Sequence, residues 1–171
     1  MDVGKTVKKS VVWTAAVVVV LFLILVIARM PVVYRKQKTA EQVAKIHATK
    51  LTLDDVLGKN LPPDPGADAD KAIAGIDANS NGIRDDVELA IFKEYPNSAK
   101  TRAVLLQYAL ALQMEMTTPL VNRETVIAVA QERSIADICI GDIVSRDNIQ
   151  NFINITGEYV NFIKKKQINT Q

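Results

Sequence analysis

The sequence has a single cysteine and a single histidine in 171 residues, and each scarcity excludes a kind of chemistry. With Cys139 alone, an intrachain disulfide is impossible and cysteine usage does not report the redox compartment. Its setting in Ile138-Cys139-Ile140 predicts a buried small hydrophobe. His47 has no second histidine or cysteine nearby, so a zinc site is not expected and the ring reads as a solvated stalk residue. With His47 far from Cys139 in sequence and no serine motif, a nucleophilic triad has no support beyond its bare ingredients. Gly4-Lys5-Thr6 looks like the end of a phosphate loop, but the upstream glycine and strand have no room three residues from the start. The adjacent acids Asp54 with Asp55 and Asp85 with Asp86 have no opposing group placed near them, and solvation or ion binding accounts for both pairs. No set of side chains fulfils the roles of a catalytic site, so an enzyme is not expected.

A basic stripe is also missing. The formal net charge of +2 conceals a split: residues 1–50 carry nine Lys/Arg against two acids, and residues 51–171 carry twelve against seventeen. The acidic part has its basic residues scattered, which argues against nucleic acid as a partner.

Against these absences stands one long apolar run. Val11 to Ala28 is eighteen residues without a charge, about 27 Å as a helix and close to the hydrocarbon thickness of a bilayer. Lys5, Lys8 and Lys9 precede it, Arg29 closes it, and Trp13 and Tyr34 fall where interfacial rings are favoured. Pro31 is expected to stop the helix. Val26-Ile27-Ala28 offers small residues suited to signal cleavage, but the run exceeds the ~7–15 residues of a signal h-region, so a retained anchor is the reading. Positive charge is nearly balanced across the span; the short N-terminal tail favours N-inside, with the large domain translocated.

The remainder predicts helices without sustained period-two alternation. Thr39 to about Lys50 forms a short polar stalk helix, and Thr52, with Asp55 three residues on, caps another that Gly58 ends. Leu61-Pro62-Pro63-Asp64-Pro65-Gly66 reads as a rigid extended linker. Helices follow at about Asp86–Tyr95, from a Ser98 cap through Met116, from an Asn122 cap to near Gly141, and at about Asp147–Lys166. The second of these four is almost wholly apolar and should be the central buried element. Lys164, Lys165 and Lys166 suit the negative end of the last.

One segment carries ligand chemistry. Asp77-Ala78-Asn79-Ser80-Asn81-Gly82-Ile83-Arg84-Asp85-Asp86-Val87-Glu88 places side-chain oxygens at positions 1, 3, 5, 9 and 12 of a twelve-residue loop, with glycine at 6. A hard cation such as calcium takes six to eight oxygens, and such a loop supplies them by winding round the ion. The candidate ligands are the side chains of Asp77, Asn79, Asn81, Asp85 and Glu88 and the carbonyl of Ile83, Asp85 acting directly or through water. The alternative is a turn in which Asp85 or Asp86 simply caps the next helix.

This pattern resembles the EF-hand loop, departing from it at position 8, where Arg84 stands in place of an apolar residue. It is more similar to the thrombospondin type 3 loops of secreted proteins, with acids at positions 1, 9 and 12 around a D-x-N-x-N-G core. No second loop is present for pairing, which weakens a calcium-sensor reading. Residues 61–95 also resemble small bacterial exported or membrane-attached proteins with a GIDxNxNGxRDDVE signature. That resemblance implies an envelope location and brings no activity.

The expectation is an all-α protein: a basic tail (1–10), a transmembrane anchor (11–34), a stalk with short helices (35–60), a Pro-rich linker (61–66) and a helical domain (67–171) with one calcium-type loop (77–88). It would sit in a bacterial inner membrane with the domain in the periplasm, as an interaction or structural module with a protein partner. The alternatives are a small subunit of a membrane complex and an envelope hydrolase using Asp/Glu.

Overall fold

A computed structural model describes the backbone of residues 3–168 and the side chains of 11–168. Among the described residues there are six α-helices and no strand, as the absence of alternation predicts: α1 Val3–Ala48, α2 Leu53–Leu57, α3 Asp85–Glu94, α4 Ala99–Thr117, α5 Arg123–Asp142 and α6 Ile149–Gln167. A 3-10 turn occupies Gly66–Lys71. The side chains of Lys5, Lys8 and Lys9 lie outside the described set.

The chain forms two compact units, Met1–Glu41 and Gln42–Gln171. In the first, the apolar side chains from Val11 to Tyr34 are exposed. This is the one helix, among the described residues, long and apolar enough by length and composition to cross a membrane. Pro31 does not stop it, contrary to the sequence expectation. A proline inside a helix removes one N–H donor, here the one that would reach the Ile27 carbonyl, and this local loss need not end the element. Residues 32–48 contain no glycine or further proline. Arg35 Nε donates to the Pro31 carbonyl at 3.3 Å and Thr39 Oγ1 to that of Arg35 at 2.9 Å. The expected separate stalk helix is therefore the last part of α1.

The second unit takes in residues 42–66 as well as the helices beyond them. Its helix starts are set by capping side chains, which accept otherwise unpaired N–H groups of the first turn. Thr52 and Asp55 form a reciprocal capping box on α2, which Gly58 ends in the left-handed conformation. Ser98 accepts from Thr101 N–H, Asn122 from Thr125 N–H and Asn148 from Asn151 N–H. α3 lacks a side-chain cap but carries Asp85, Asp86 and Glu88 in its first turn, where acids complement the dipole.

α4 is the buried axis, with ten buried residues from Arg102 to Met114. Leu105, Leu106 and Leu110 pack in one core with Ile83, Val87 and Ile91 around α3, Ala136 and Ile140 of α5, and Ile163 of α6. Tyr95 meets Tyr159 and Phe162 edge-on, each at a centroid distance of 5.8 Å. Ile46, in the last turns of α1, is buried in this core. Its neighbour His47 is not simply solvated: Nδ1 lies 2.7 Å from Glu132 Oε1. The sequence alone could not show this pair, because its members are 85 residues apart. Cys139 is half-buried rather than enclosed.

This core predicts a graded response to truncation. Leu106→Ala, at a fully buried site, should lower stability by about 2–5 kcal/mol. Ile149→Ala, on the exposed start of α6, should stay within about 0.5 kcal/mol of the parent in thermal unfolding of the detergent-solubilised chain.

Candidate metal centre

The segment from Asp77 to Glu88 is wound by side chains turned onto its own backbone. Asp77 accepts from Asn81 N–H through Oδ1 at 3.1 Å and from Gly82 N–H through Oδ2 at 2.9 Å. Asn79 Oδ1 accepts from Asn81 N–H at 3.3 Å, and Asn81 Oδ1 from Ile83 N–H at 2.9 Å. The last two are Asx-type turns, and Asp77 bridges over them to residues four and five positions on, so that the chain curls tightly. Gly82 has φ +87°, a turn that favours glycine, and a Cβ there would stand 2.7 Å from Leu110 Cδ1, so that the α4 side chain would have to shift. Ile83, at position 7, is fully buried and fixes the loop to the core.

The loop closes at its base. Asp85 N–H donates to the Ile76 carbonyl at 2.8 Å, and Ala78 N–H donates to the two carboxylate oxygens of Asp85 at 3.0 and 3.1 Å. Neither Asp85 nor Asp86 caps α3: the N-cap is Arg84, which makes no side-chain cap bond. The capping half of the turn alternative is thus absent, while its turns, made by Asp77, Asn79 and Asn81, are present.

Glu88 is fully buried on the first turn of α3. Its Oε2 accepts from Asn79 Nδ2 at 3.0 Å and from Asn81 Nδ2 at 2.9 Å. Its Oε1 is buried and has no hydrogen-bond partner among the described residues. Desolvation pushes the carboxyl above the usual range; the two amides oppose this, and Asp55 and Asp85 push it further up. Asp85 is likewise raised, mainly by burial, with Asp77 and Asp86 adding and the Ala78 N–H opposing. Among the described residues no lysine or arginine forms an ion pair with Asp77, Asp85 or Glu88.

The geometry brings Asn79, Asn81 and Glu88 into direct contact and keeps Asp77 on the same loop turn. It turns Asp85 toward the base instead. Among the described residues no group of three or more His, Cys, Asp or Glu is arranged to hold a metal ion. Three of the six candidate donors are neutral oxygens, from Asn79, Asn81 and Ile83, so a hard-cation site here would not be an acid cluster. The unpartnered Oε1 of Glu88 is compatible with such a cation, since an orphaned buried carboxylate oxygen is costly without a proton or a positive charge.

No family model, curated protein or solved structure matches the chain.

Several residues important to the loop were not legible in its spacing. Arg84 is fully buried. Its Nε and Nη2 each donate at 2.9 Å to the two carboxylate oxygens of Asp86, Nη2 also donates to Asp70 at 2.9 Å, and Nη1 reaches the Gln167 carbonyl at 3.4 Å. Burial opposes the charge, but the two acids outweigh it and the guanidinium pKa is raised. Gly75, at φ +62°, makes room for this side chain: a Cβ there would lie 2.7 Å from Arg84 Cγ. Gln167 in turn donates to the Ala109 carbonyl and to Gln113 Oε1, at 2.9 and 2.7 Å. Loop, α4 and the end of α6 thereby share one polar network. On the opposite flank, Asn79 Nδ2 donates to the Asn60 carbonyl at 2.8 Å, and Asn60 Nδ2 to Asp55 at 3.2 Å. The one visible signal was the arginine at position 8, where an apolar residue is usual.

Arg84→Met should therefore destabilise the domain by on the order of 2 kcal/mol, since Asp70 and Asp86 keep some access to water. Arg84→Lys should recover little, because an ammonium cannot reproduce the two-acid fork. Chemical denaturation of the two variants beside the parent measures both.

Proposed function

We propose that the protein is a single-span membrane protein whose helical unit binds one calcium ion in the loop from Asp77 to Glu88, as an interaction or structural module of the bacterial envelope. The carrying observation is Glu88: fully buried, held by two amide side chains, and with one oxygen that has no hydrogen-bond partner among the described residues. A bound divalent cation removes that penalty, with Asp77, Asn79, Asn81 and the Ile83 carbonyl as further ligands and Asp85 acting through water or after turning from Ala78. The loop's resemblance to thrombospondin type 3 loops supports calcium over magnesium, which demands stricter octahedral geometry.

The anchor reading rests on α1. Large apolar side chains along Val11–Tyr34 are exposed, a surface that a bilayer covers and water does not favour. The N-inside orientation puts the loop in the periplasm, where millimolar calcium suits a site with few carboxylates. A hydrolase reading finds less support. The acids with raised pKa, Asp85 and Glu88, are buried in the loop and its base. Two surface grooves of the helical unit are shallow and bring no acids together: one holds Asp137 among Ile, Phe, Val, Gly and Thr, and the other the His47–Glu132 pair among Ile, Ala, Gln and Ser.

With three carboxylates among its candidate ligands, the site should bind at about 10⁻⁴–10⁻³ M. At ten times the dissociation constant, calcium should stabilise the chain by about 1.4 kcal/mol. Scanning calorimetry of the detergent-solubilised chain should show a calcium-dependent rise in melting temperature that Asp77→Ala and Glu88→Gln reduce. An unchanged melting temperature at millimolar calcium rejects the site. Separately, full-length protein should stay with membranes extracted at high pH; its release rejects the anchor.

A further inference from the structure

The outward face of α5 carries isoleucines that the helical unit leaves well exposed. Ile127, Ile135 and Ile138 are 43%, 49% and 62% exposed, and Ala130, Gln131 and Ser134 are exposed between them. These residues border a shallow groove of about 450 Å³ that His47 flanks. A helix of this length needs one apolar stripe to hold it to its own core. α5 has that stripe on its other side, in Ala128, Val129, Ala136 and Ile140. The second stripe is therefore surplus to folding.

Its order is what identifies an occupant. Arg123, Ile127, Gln131, Ser134, Ile138 and Asp142 follow one another at steps of four and three residues and so share one helix face. The sequence along that face is nearly palindromic in chemistry about the point midway between Glu132 and Arg133. An antiparallel copy of the same helix, centred there, sets Ile127 against Ile138 of the partner subunit, and Ile138 against the partner's Ile127. Ala130 then meets the partner's Ile135, a small residue facing a large one. Gln131 meets the partner's Ser134, and at each end Arg123 meets the partner's Asp142. Like charges do not meet at these positions, and a two-fold axis demands this kind of self-complementarity.

We infer that this face of α5 is a homodimer interface, in which two copies of the chain pair their α5 helices antiparallel through Ile127, Ile135 and Ile138 with Arg123 and the partner's Asp142 closing both ends. Among the described residues, Asp142 pairs within its own chain with Arg146, at 2.9 Å, and both side chains are exposed. Such a surface pair is weak and exchanges readily. A single helix pair buries less than the roughly 800 Å² per partner of a standard interface, so the dimer forms at micromolar or higher concentration and dissociates readily. The inference is independent of the ion and of the anchor.

Sedimentation of the full chain in detergent micelles, over a range of protein concentration, reads the monomer–dimer equilibrium. The parent should dimerise reversibly. Ile138→Asp should raise the dissociation constant by roughly tenfold or more, while Ile149→Asp, on α6 and off this face, should leave it unchanged. Arg123→Asp should weaken the dimer several-fold, and adding Asp142→Arg to the same chain should restore it, because both ends of the interface regain opposite charges. Thermal unfolding of each variant checks that the fold is kept; these side chains are exposed, so it should be. A chain that stays monomeric, a dimer indifferent to Ile138→Asp, or a double charge variant no stronger than Arg123→Asp alone overturns the inference. A dimer held only by α1 would show the second of these results.

Discussion

Taking a charge out of water is tolerable only when another charge or a set of dipoles meets it, and two side chains of one loop impose that condition on this domain. Arg84 and Glu88 are both fully buried, four residues apart. Arg84 is answered in full, by Asp70, Asp86 and the end of α6. Glu88 is answered on one oxygen by two asparagine amides and on the other by nothing. The loop is thus clamped at its guanidinium and under-compensated at its buried carboxyl. Most of what is distinctive in the domain follows from that asymmetry: Gly75 open for the guanidinium, the polar end of α6 drawn in through Gln167, and amides rather than lysines around Glu88.

The sequence made the helices legible because their signals are local. The caps at Thr52, Ser98 and Asn122 act within three residues of themselves, and the apolar run of α4 can only be a buried helix. Pro31 misled because proline's effect depends on what surrounds it: one lost hydrogen bond did not outweigh two long flanking stretches free of glycine. The loop's curl was readable too, since Asp77, Asn79 and Asn81 hydrogen-bond within five residues. Its attachments were not. Arg84 to Gln167, Asn79 to Asn60 and His47 to Glu132 each join positions that no spacing rule connects. Asp85 shows the complementary limit, because a ligand-type residue at a ligand position can instead close the base of its own loop.

The two units present different surfaces to explain. The exposed apolar helix of the first has the length of a bilayer core, whereas the exposed isoleucines of α5 form a narrow stripe on a helix already anchored to its core. The proposed anchor accounts for the first, and the inferred dimer for the second. The loop, as a proposed calcium site, would act as a stiffener of the helical unit. It joins α3 to the 49–62 segment through Asn60 and to α6 through Arg84, so an ion that relieves Glu88 would steady the scaffold on which α5 is displayed.

The most direct test of this account is carbon and nitrogen NMR of the isotope-labelled chain in detergent during calcium titration, read at the Glu88 carboxyl carbon and the Asn79 and Asn81 side-chain amides. The account predicts that these three signals move together and saturate in the millimolar range, while the Arg84 guanidinium signals change little. Glu88 and both amides unmoved at millimolar calcium would contradict it.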